Sequence, residues 1–224
     1  MGREGVHNQT LFREALLFAL EAHGEQLRKG SAVPYITHPV GVATVLAQYE
    51  FDAEVVAAGL LHDVVEDAGV PVAELARRFG ERVAALVEAI TERKHDEVPG
   101  APLRPWEIRK AELLSRLEGA PLEAVALKAA DALHNAQSIL RDVRVVGPGV
   151  WQRFRRGRED QLGVLDAVVS LVRRRAAGSS AAVRLAQLGE ELAETVEQLR
   201  RESVPSSTEA GPIEPLQRRH IMPA

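Results

Sequence analysis

No cysteine occurs among the 224 residues. Disulfides, thiolate zinc sites and cysteine nucleophiles are excluded together, so any metal must be held by His, Asp or Glu. Aromatic residues are scarce, at 4%, and the core must be built from Ala, Val and Leu. Lysine is confined to Lys29, Lys94, Lys110 and Lys128, the other basic residues being Arg, and asparagine to Asn8 and Asn135. There is no excess of basic charge: the net charge is −4 and the sequence pI about 6.0. That disfavours a nucleic-acid binder. No apolar run approaches the roughly 18 residues of a membrane span. The opening MGREGVHNQT has no apolar signal-peptide stretch. A cytoplasmic protein with neither membrane nor nucleic-acid partners is expected.

What is present is helical periodicity almost everywhere. Leu11, Ala15, Leu16 and Ala19 repeat at three and four, reading as one helix face over residues 11–22. A polar loop leads to His38-Pro39, where a second helix should start. Asp52 is a good N-cap for a third helix over 53–67, and Gly69 and Pro71 end it. Short helices follow to Gly80 and over 81–92. A Pro/Gly-rich stretch leads to helices over 106–117 and from 122 to the Gly147-Pro148-Gly149 break. Two more helices are expected near 150–176 and 181–202. No strand pattern and no internal repeat is found, so the class is all-α.

Three polar intrusions interrupt these apolar helices. The third helix is apolar nearly all round from Val55 to Val65, yet it carries His62-Asp63 and Glu66-Asp67. Burying such charges costs several kcal/mol unless a partner compensates them. Spacing of four puts His62 with Glu66 and Asp63 with Asp67, and Gly59 would let another backbone come close. The cluster is either a helix end emerging into water or one side of a divalent-cation site. The second intrusion is the stripe Lys128, Asp131, Asn135 and Ser138, on a helix otherwise of Ala, Leu and Val. It is either a solvent face or a functional one. His38, the third, could cap a helix or bind a ligand. Together His38, His62, Asp63 and Asp131 form a mixed nitrogen and oxygen set that suits Mn, Fe, Zn or Co.

Some residues invite blander readings. His95-Asp96 sits in a Pro/Gly-rich loop and reads as a solvated pair. His134 reads as a packing or second-layer residue and His23 as a helix-end histidine. The Arg153–Arg158 run, interrupted by Gly157 and followed by Glu159 and Asp160, reads as a solvated face.

Three strings carry a resemblance: RKGSAVPYITHPVGVA at 28–43, LLHDVVEDAGV at 60–70 and KAADALHNAQSIL at 128–140. Together they resemble the hydrolase domain of the RelA/SpoT alarmone enzymes, within the HD metal phosphohydrolases, over about residues 10–175. The resemblance implies an HD-domain helical bundle with one divalent ion, Mn²⁺ by family, held between helices by His38, His62, Asp63 and Asp131; Zn, Fe or Co would also suit that set. It implies that Glu66 and Asp67 handle the water and its protons. It sets Arg28 and Lys29 beside the nucleotide base and phosphates, Asn135 near the ribose and Lys94 on a phosphate, and counts Ser138, where the family often has Thr, among the substrate-binding residues. The implied activity is removal of the 3′-pyrophosphate from guanosine tetra- or pentaphosphate. An HD phosphohydrolase for another nucleotide or phosphorylated cofactor is the enzymatic alternative, and a non-catalytic nucleotide sensor the other. Where the family usually has Thr and Arg, this chain has Ala68 and Ala132, and its 92–110 stretch is longer and richer in Pro. A hydrolase without a synthetase is expected. The division is a phosphohydrolase domain over 1–178, a helix over 179–202 that docks on it or pairs with a second copy, and a disordered tail over 203–224.

Overall fold

The computed structural model describes residues 3–95, 101–177 and 182–204. Those residues form ten α-helices: α1 Arg3–His23, α2 Thr37–Gln48, α3 Ala53–Leu61, α4 Val64–Ala68, α5 Val72–Phe79, α6 Glu81–Ile90, α7 Trp106–Leu117, α8 Leu122–Val146, α9 Gly157–Ala176 and α10 Val183–Glu202. A 3-10 turn, Pro148–Arg153, joins α8 to α9. Among the described residues there is no β-strand; a single bridge pairs Leu27 with Pro34 and closes the loop before α2. All but its first two residues, the expected tail lies outside the described residues.

Two helices organise the bundle. The middle of α8 is buried on nearly every side, and α2, α3, α6, α9 and α10 pack against it. All of α3 from Val55 to Leu61 is buried between α1, α2 and α6. The core is built of Leu, Val and Ala, as the composition requires, with Phe79 and Trp151 at its margins. α10 lies on α8 and α9, burying Leu185, Leu188, Leu192 and Leu199. Glu191 of α10 ties in α2 and α8: Tyr49 Oη donates to its Oε2 at 2.5 Å and Gln137 Nε2 to its Oε1 at 3.1 Å.

Local chemistry sets the ends of α3. Asp52 accepts from the backbone N–H of Glu54 and Val55, as its N-cap position predicts, and also receives Arg82 at 2.7 and 2.9 Å. Those Arg82 bonds hold the Asp52 carboxyl below its ordinary value. A depressed carboxylate stabilises the fold above its unfolded pKa, and that contribution is lost as pH falls through the folded one. Asp52→Ala is therefore expected to cost about 1 kcal/mol by urea unfolding at neutral pH. Asp52→Asn, which keeps the cap and loses only a solvent-screened ion pair, should cost less. The gap between Asp52→Ala and wild type should narrow in acid.

The far end of α3 departs from the sequence pattern, which predicts one helix through 53–67. The helix stops at Leu61, and α4 restarts at Val64. His62 Nδ1 bonds the Gly59 carbonyl at 2.8 Å, and Asp63 takes φ −100°, ψ −6°, the bridge region of backbone space. This break re-aims Asp63. Periodicity misses it because Val64 and Val65 continue the apolar pattern. Gly59 lets α2 and α3 meet: a Cβ there would lie 2.9 Å from Leu46 Cδ1 and 3.1 Å from Ala43 Cα. Because one neighbour is backbone, Gly59→Ala must push the helices apart. A loss of about 1–3 kcal/mol is expected in chemical unfolding.

Sequence and structure also differ near residue 150. A helix is expected to run from there to 176. Instead the 3-10 turn ends at Arg153 and α9 starts at Gly157, whose φ of +71° suits glycine. This offset directs Arg153 and Phe154 toward the cavity described next.

Candidate metal centre and its pocket

Three separated segments bring four side chains together. His38 lies at the start of α2, His62 and Asp63 at the α3–α4 break, and Asp131 midway along α8. His62 Nε2 is 2.9 Å from Asp63 Oδ2 and 3.9 Å from Asp131 Oδ1. His38 Nε2 is 3.2 Å from Asp131 Oδ1 and 3.6 Å from Asp63 Oδ2. Ligand atoms held at about 2.1 Å from one ion are separated by about 3 to 4.2 Å, and the four distances match that spread closely. Both imidazoles are 2% exposed. His62 Nε2 is buried and makes no hydrogen bond of good geometry, although Asp63 Oδ2 lies 2.9 Å away. A divalent cation fits this donor set.

The electrostatics agree. Burial would lower the His62 imidazole, but Asp63 and then Asp131 outweigh it and push it up to about 9. Burial would raise Asp131; Lys128, with both histidines, holds it well below the carboxylate range. Burial likewise opposes the ionised form of Asp63, and His62 then His38 hold its carboxyl low. The carboxylates thus draw positive charge to the point where the nitrogens converge.

Hydrogen bonds hold both carboxylates of the cluster. Asp131 Oδ2 receives Lys128 Nζ at 2.7 Å and Oδ1 receives Asn135 Nδ2 at 2.7 Å. Asn135 Oδ1 accepts from Arg28 Nη2 at 3.0 Å, which settles its amide orientation, since Arg28 can only donate. Tyr35 Oη donates to Asp63 Oδ2 at 2.6 Å and reaches Asp67 Oδ2 at 3.2 Å. Burial and the Asp63 charge raise the Tyr35 phenol, which stays a donor. Behind His38, the Nδ1 atoms of His38 and His134 are 2.8 Å apart. Burial, with His38 and Arg28, lowers the His134 imidazole to about 4.

The acidic pair sits to one side. Glu66 Oε2 accepts from the Glu92 backbone N–H at 3.1 Å, and Lys94 Nζ lies 3.3 Å from its Oε1. Burial, then the Glu92 charge, raises the Glu66 carboxyl. Lys94 donates to Asp67 Oδ1 at 2.8 Å and to the Glu66 carbonyl at 3.1 Å. Lys94 therefore meets the acids and does not line the cavity, whereas the family pattern implies a phosphate contact. Buried Glu92 is in turn neutralised by Arg109, at 2.8 Å, and Lys110.

A cavity of about 620 Å³ opens beside Asp131. Arg28, Lys29, Asn135 and Ser138 line it, as does the rest of the α8 stripe, Lys128 and Asp131. The stripe therefore faces this cavity. Val33, Ile139, Phe154, Val164, Leu165 and Val168 form an apolar wall, and Arg141 and Arg153 add charge. Tyr35, Glu92, Arg141 and Gln161 also belong to this region, although their local sequence gives them no role. Tyr35 could have been noticed as one of only two tyrosines, inside the PYITHP string. The others carry no local signal. Of the blander residues, His95 bonds the Ala101 carbonyl and Asp96 lies outside the described residues. His23 bonds Gln26 and stacks on Tyr35. Arg156 pairs with Glu107, and Arg153, which pairs with Asp142, lines the cavity. Among the described residues no helix is long and apolar enough to cross a membrane.

Comparison with known proteins agrees with this geometry. The guanosine-3′,5′-bis(diphosphate) 3′-pyrophosphohydrolase of Aquifex aeolicus is 51% identical over 79 residues, covering 35% of this chain and 11% of that protein. The bifunctional (p)ppGpp synthase/hydrolase SpoT of Escherichia coli K12 is 35% identical over 127 residues, covering 57% and 18%. The chain thus spans less than a fifth of the length of these curated relatives. A crystal structure from Listeria monocytogenes superposes with a TM-score of 0.63 at 32% identity, covering 73% of this chain and 99% of that one. A metazoan ortholog of SpoT, described as hydrolysing ppGpp, superposes with a TM-score of 0.65 at 28% identity, covering 87% and 97%. The HD-domain family profile matches residues 15–162, and with that match and the convergent histidine–aspartate centre, the chain belongs to the HD-domain family.

Proposed function

We propose that this protein is a metal-dependent hydrolase that removes the 3′-pyrophosphate from guanosine tetra- or pentaphosphate, yielding GDP or GTP and pyrophosphate. The observation that carries this reading is the buried His38/His62/Asp131 group, with Asp63 against both histidines, beside a nucleotide-sized cavity that Asp131 lines and that has a cationic rim and an apolar wall. The relatives named above, which carry that activity in their names, support it. When bound, Mn²⁺ would lower the pKa of a coordinated water and polarise a phosphate oxygen.

The chain's own residues would do the rest. Water attacks the phosphorus attached to the 3′-oxygen; the new O–P bond forms as the P–O3′ bond breaks. Glu66 takes the water proton on its carboxylate, which the Glu92 N–H and Lys94 hold in place. Burial and the Glu92 charge raise this carboxyl, which favours proton acceptance and return of that proton to the leaving oxygen. Lys94 and Tyr35 hold Asp67 beside the same water. Arg28, Lys29, Arg141 and Arg153 neutralise phosphate charge at the cavity rim. The apolar wall receives the base, and Asn135 and Ser138 face the ribose.

A panel of nucleotides, with separate detection of phosphate and pyrophosphate and product identification by mass, tests this function. Guanosine tetraphosphate should give GDP and pyrophosphate in Mn²⁺ and nothing after chelation. Faster turnover of a nucleoside 5′-phosphate or a dinucleotide would redirect the substrate assignment. Tight binding of guanosine tetraphosphate without turnover would make the protein a sensor.

A further inference from the structure

We propose that His134 is a positioning residue of the metal centre: it accepts the Nδ1 proton of His38 and so fixes the His38 tautomer that turns a bare Nε2 toward the ion. This inference rests on the metal-centre reading above and concerns a residue outside the four ligands.

Two imidazole nitrogens 2.8 Å apart must share one proton. His38 Nε2 faces Asp131 Oδ1 at 3.2 Å and Asp63 Oδ2 at 3.6 Å, so it is the atom that would bind an ion. A ligating nitrogen needs its lone pair, which places the His38 proton on Nδ1. His38 is then the donor, His134 Nδ1 the acceptor, and the His134 proton lies on Nε2. With the shared proton on His134 instead, a neutral His38 would carry its own proton on Nε2, facing the carboxylates and blocking the ion. An acceptor at this point therefore selects the binding tautomer and raises the basicity of the ligating nitrogen.

The packing is cut to admit this ring. A Cβ on Gly41 would sit 2.2 Å from both Cδ2 and Nε2 of His134. Gly41 lies one turn after His38 on α2, so the glycine opens the α2–α8 contact beside the ligand. The His38 and His134 rings are tilted by 44° with centroids 4.9 Å apart, an edge-led approach suited to a nitrogen–nitrogen bond. The same ring lines the substrate cavity.

The test measures Mn²⁺ affinity by competition with a fluorescent chelator, with melting temperature as the folding control. His134→Leu, which fills the space without an acceptor, is expected to weaken Mn²⁺ binding about 10- to 100-fold. His134→Asn sets an amide oxygen close to the position of Nδ1 and is expected to restore most of the affinity. Gly41→Ala, which leaves His134 in the sequence and displaces its ring, should weaken binding as Leu does. Leu binding Mn²⁺ like wild type, or Asn as weak as Leu, would overturn the proposal while leaving the metal centre intact. A wild-type protein that takes up no Mn²⁺ would overturn both.

Discussion

An Asp131→Asn variant is expected to lose its divalent ion on dialysis and at least about a thousandfold of its turnover, because the metal supplies several kcal/mol of transition-state stabilisation. Asn keeps the size of the side chain and removes the charge on which the ion depends. The Asp131 carboxylate is supported on both sides, receiving Lys128 on one oxygen and Asn135 on the other. Burial would lower the Lys128 ammonium, yet Asp131 pushes it up to about 12. Removing the carboxylate charge leaves a buried cation without its partner, and a folding cost of up to about 3–5 kcal/mol is expected besides the loss of metal. His62→Gln separates the two effects. It removes a ligand, leaves the Lys128–Asp131 pair intact, and should lose metal and turnover with a smaller stability change. Elemental analysis after dialysis, initial rates and urea unfolding on both variants check this. Full metal content and activity in either variant would refute the ligand assignment.

Glu66→Gln is expected to behave in the opposite way: metal retained, nucleotide bound, turnover reduced about 10²- to 10⁴-fold. The Gln carbonyl can still accept the Glu92 N–H, so the local fold is kept. A second signature follows from the raised Glu66 pKa. The folded state holds this proton more tightly than the unfolded chain does. The associated stability is present below the ordinary value of 4.5 and is lost as pH rises through the folded value. Above the ordinary value the buried Glu66 carboxyl therefore costs stability relative to the unfolded chain, and Gln relieves that cost. The variant should melt higher than wild type at pH 7, and the difference should vanish in acid. A Glu66→Gln protein that turns over normally, or that melts lower at neutral pH, would remove Glu66 from its proposed role.

Much of this site is legible in the sequence because its anomalies are local. His62-Asp63 and Glu66-Asp67 follow seven consecutive buried residues, and the Lys128/Asp131/Asn135/Ser138 stripe interrupts an Ala-Leu-Val helix. Gly59 and Asp52 can also be read locally, one from its smallness beside an apolar helix, the other from its place before one. What the pattern hides depends on contacts distant in the chain. Periodicity carries the third helix through 53–67, whereas the helix breaks at His62-Asp63, where the apolar pattern runs on into Val64 and Val65. The contacts of Tyr35 with Asp63 and of His134 with His38 join residues 28 and 96 positions apart. The string TERK likewise gives no hint that the turn after α6 folds Lys94 onto Glu66 and Asp67. Glu92 is missed because its partners Arg109 and Lys110 lie beyond a Pro-rich stretch that separates them in sequence.

The central claim is that side chains from three separated segments share one cation. Crystals grown with Mn²⁺ and measured at the manganese absorption edge test it most directly. One anomalous peak per chain is expected, about 2.0–2.4 Å from His38 Nε2, His62 Nε2 and the facing oxygens of Asp63 and Asp131. A peak bound elsewhere, or no peak between these four residues at saturating Mn²⁺, would contradict it.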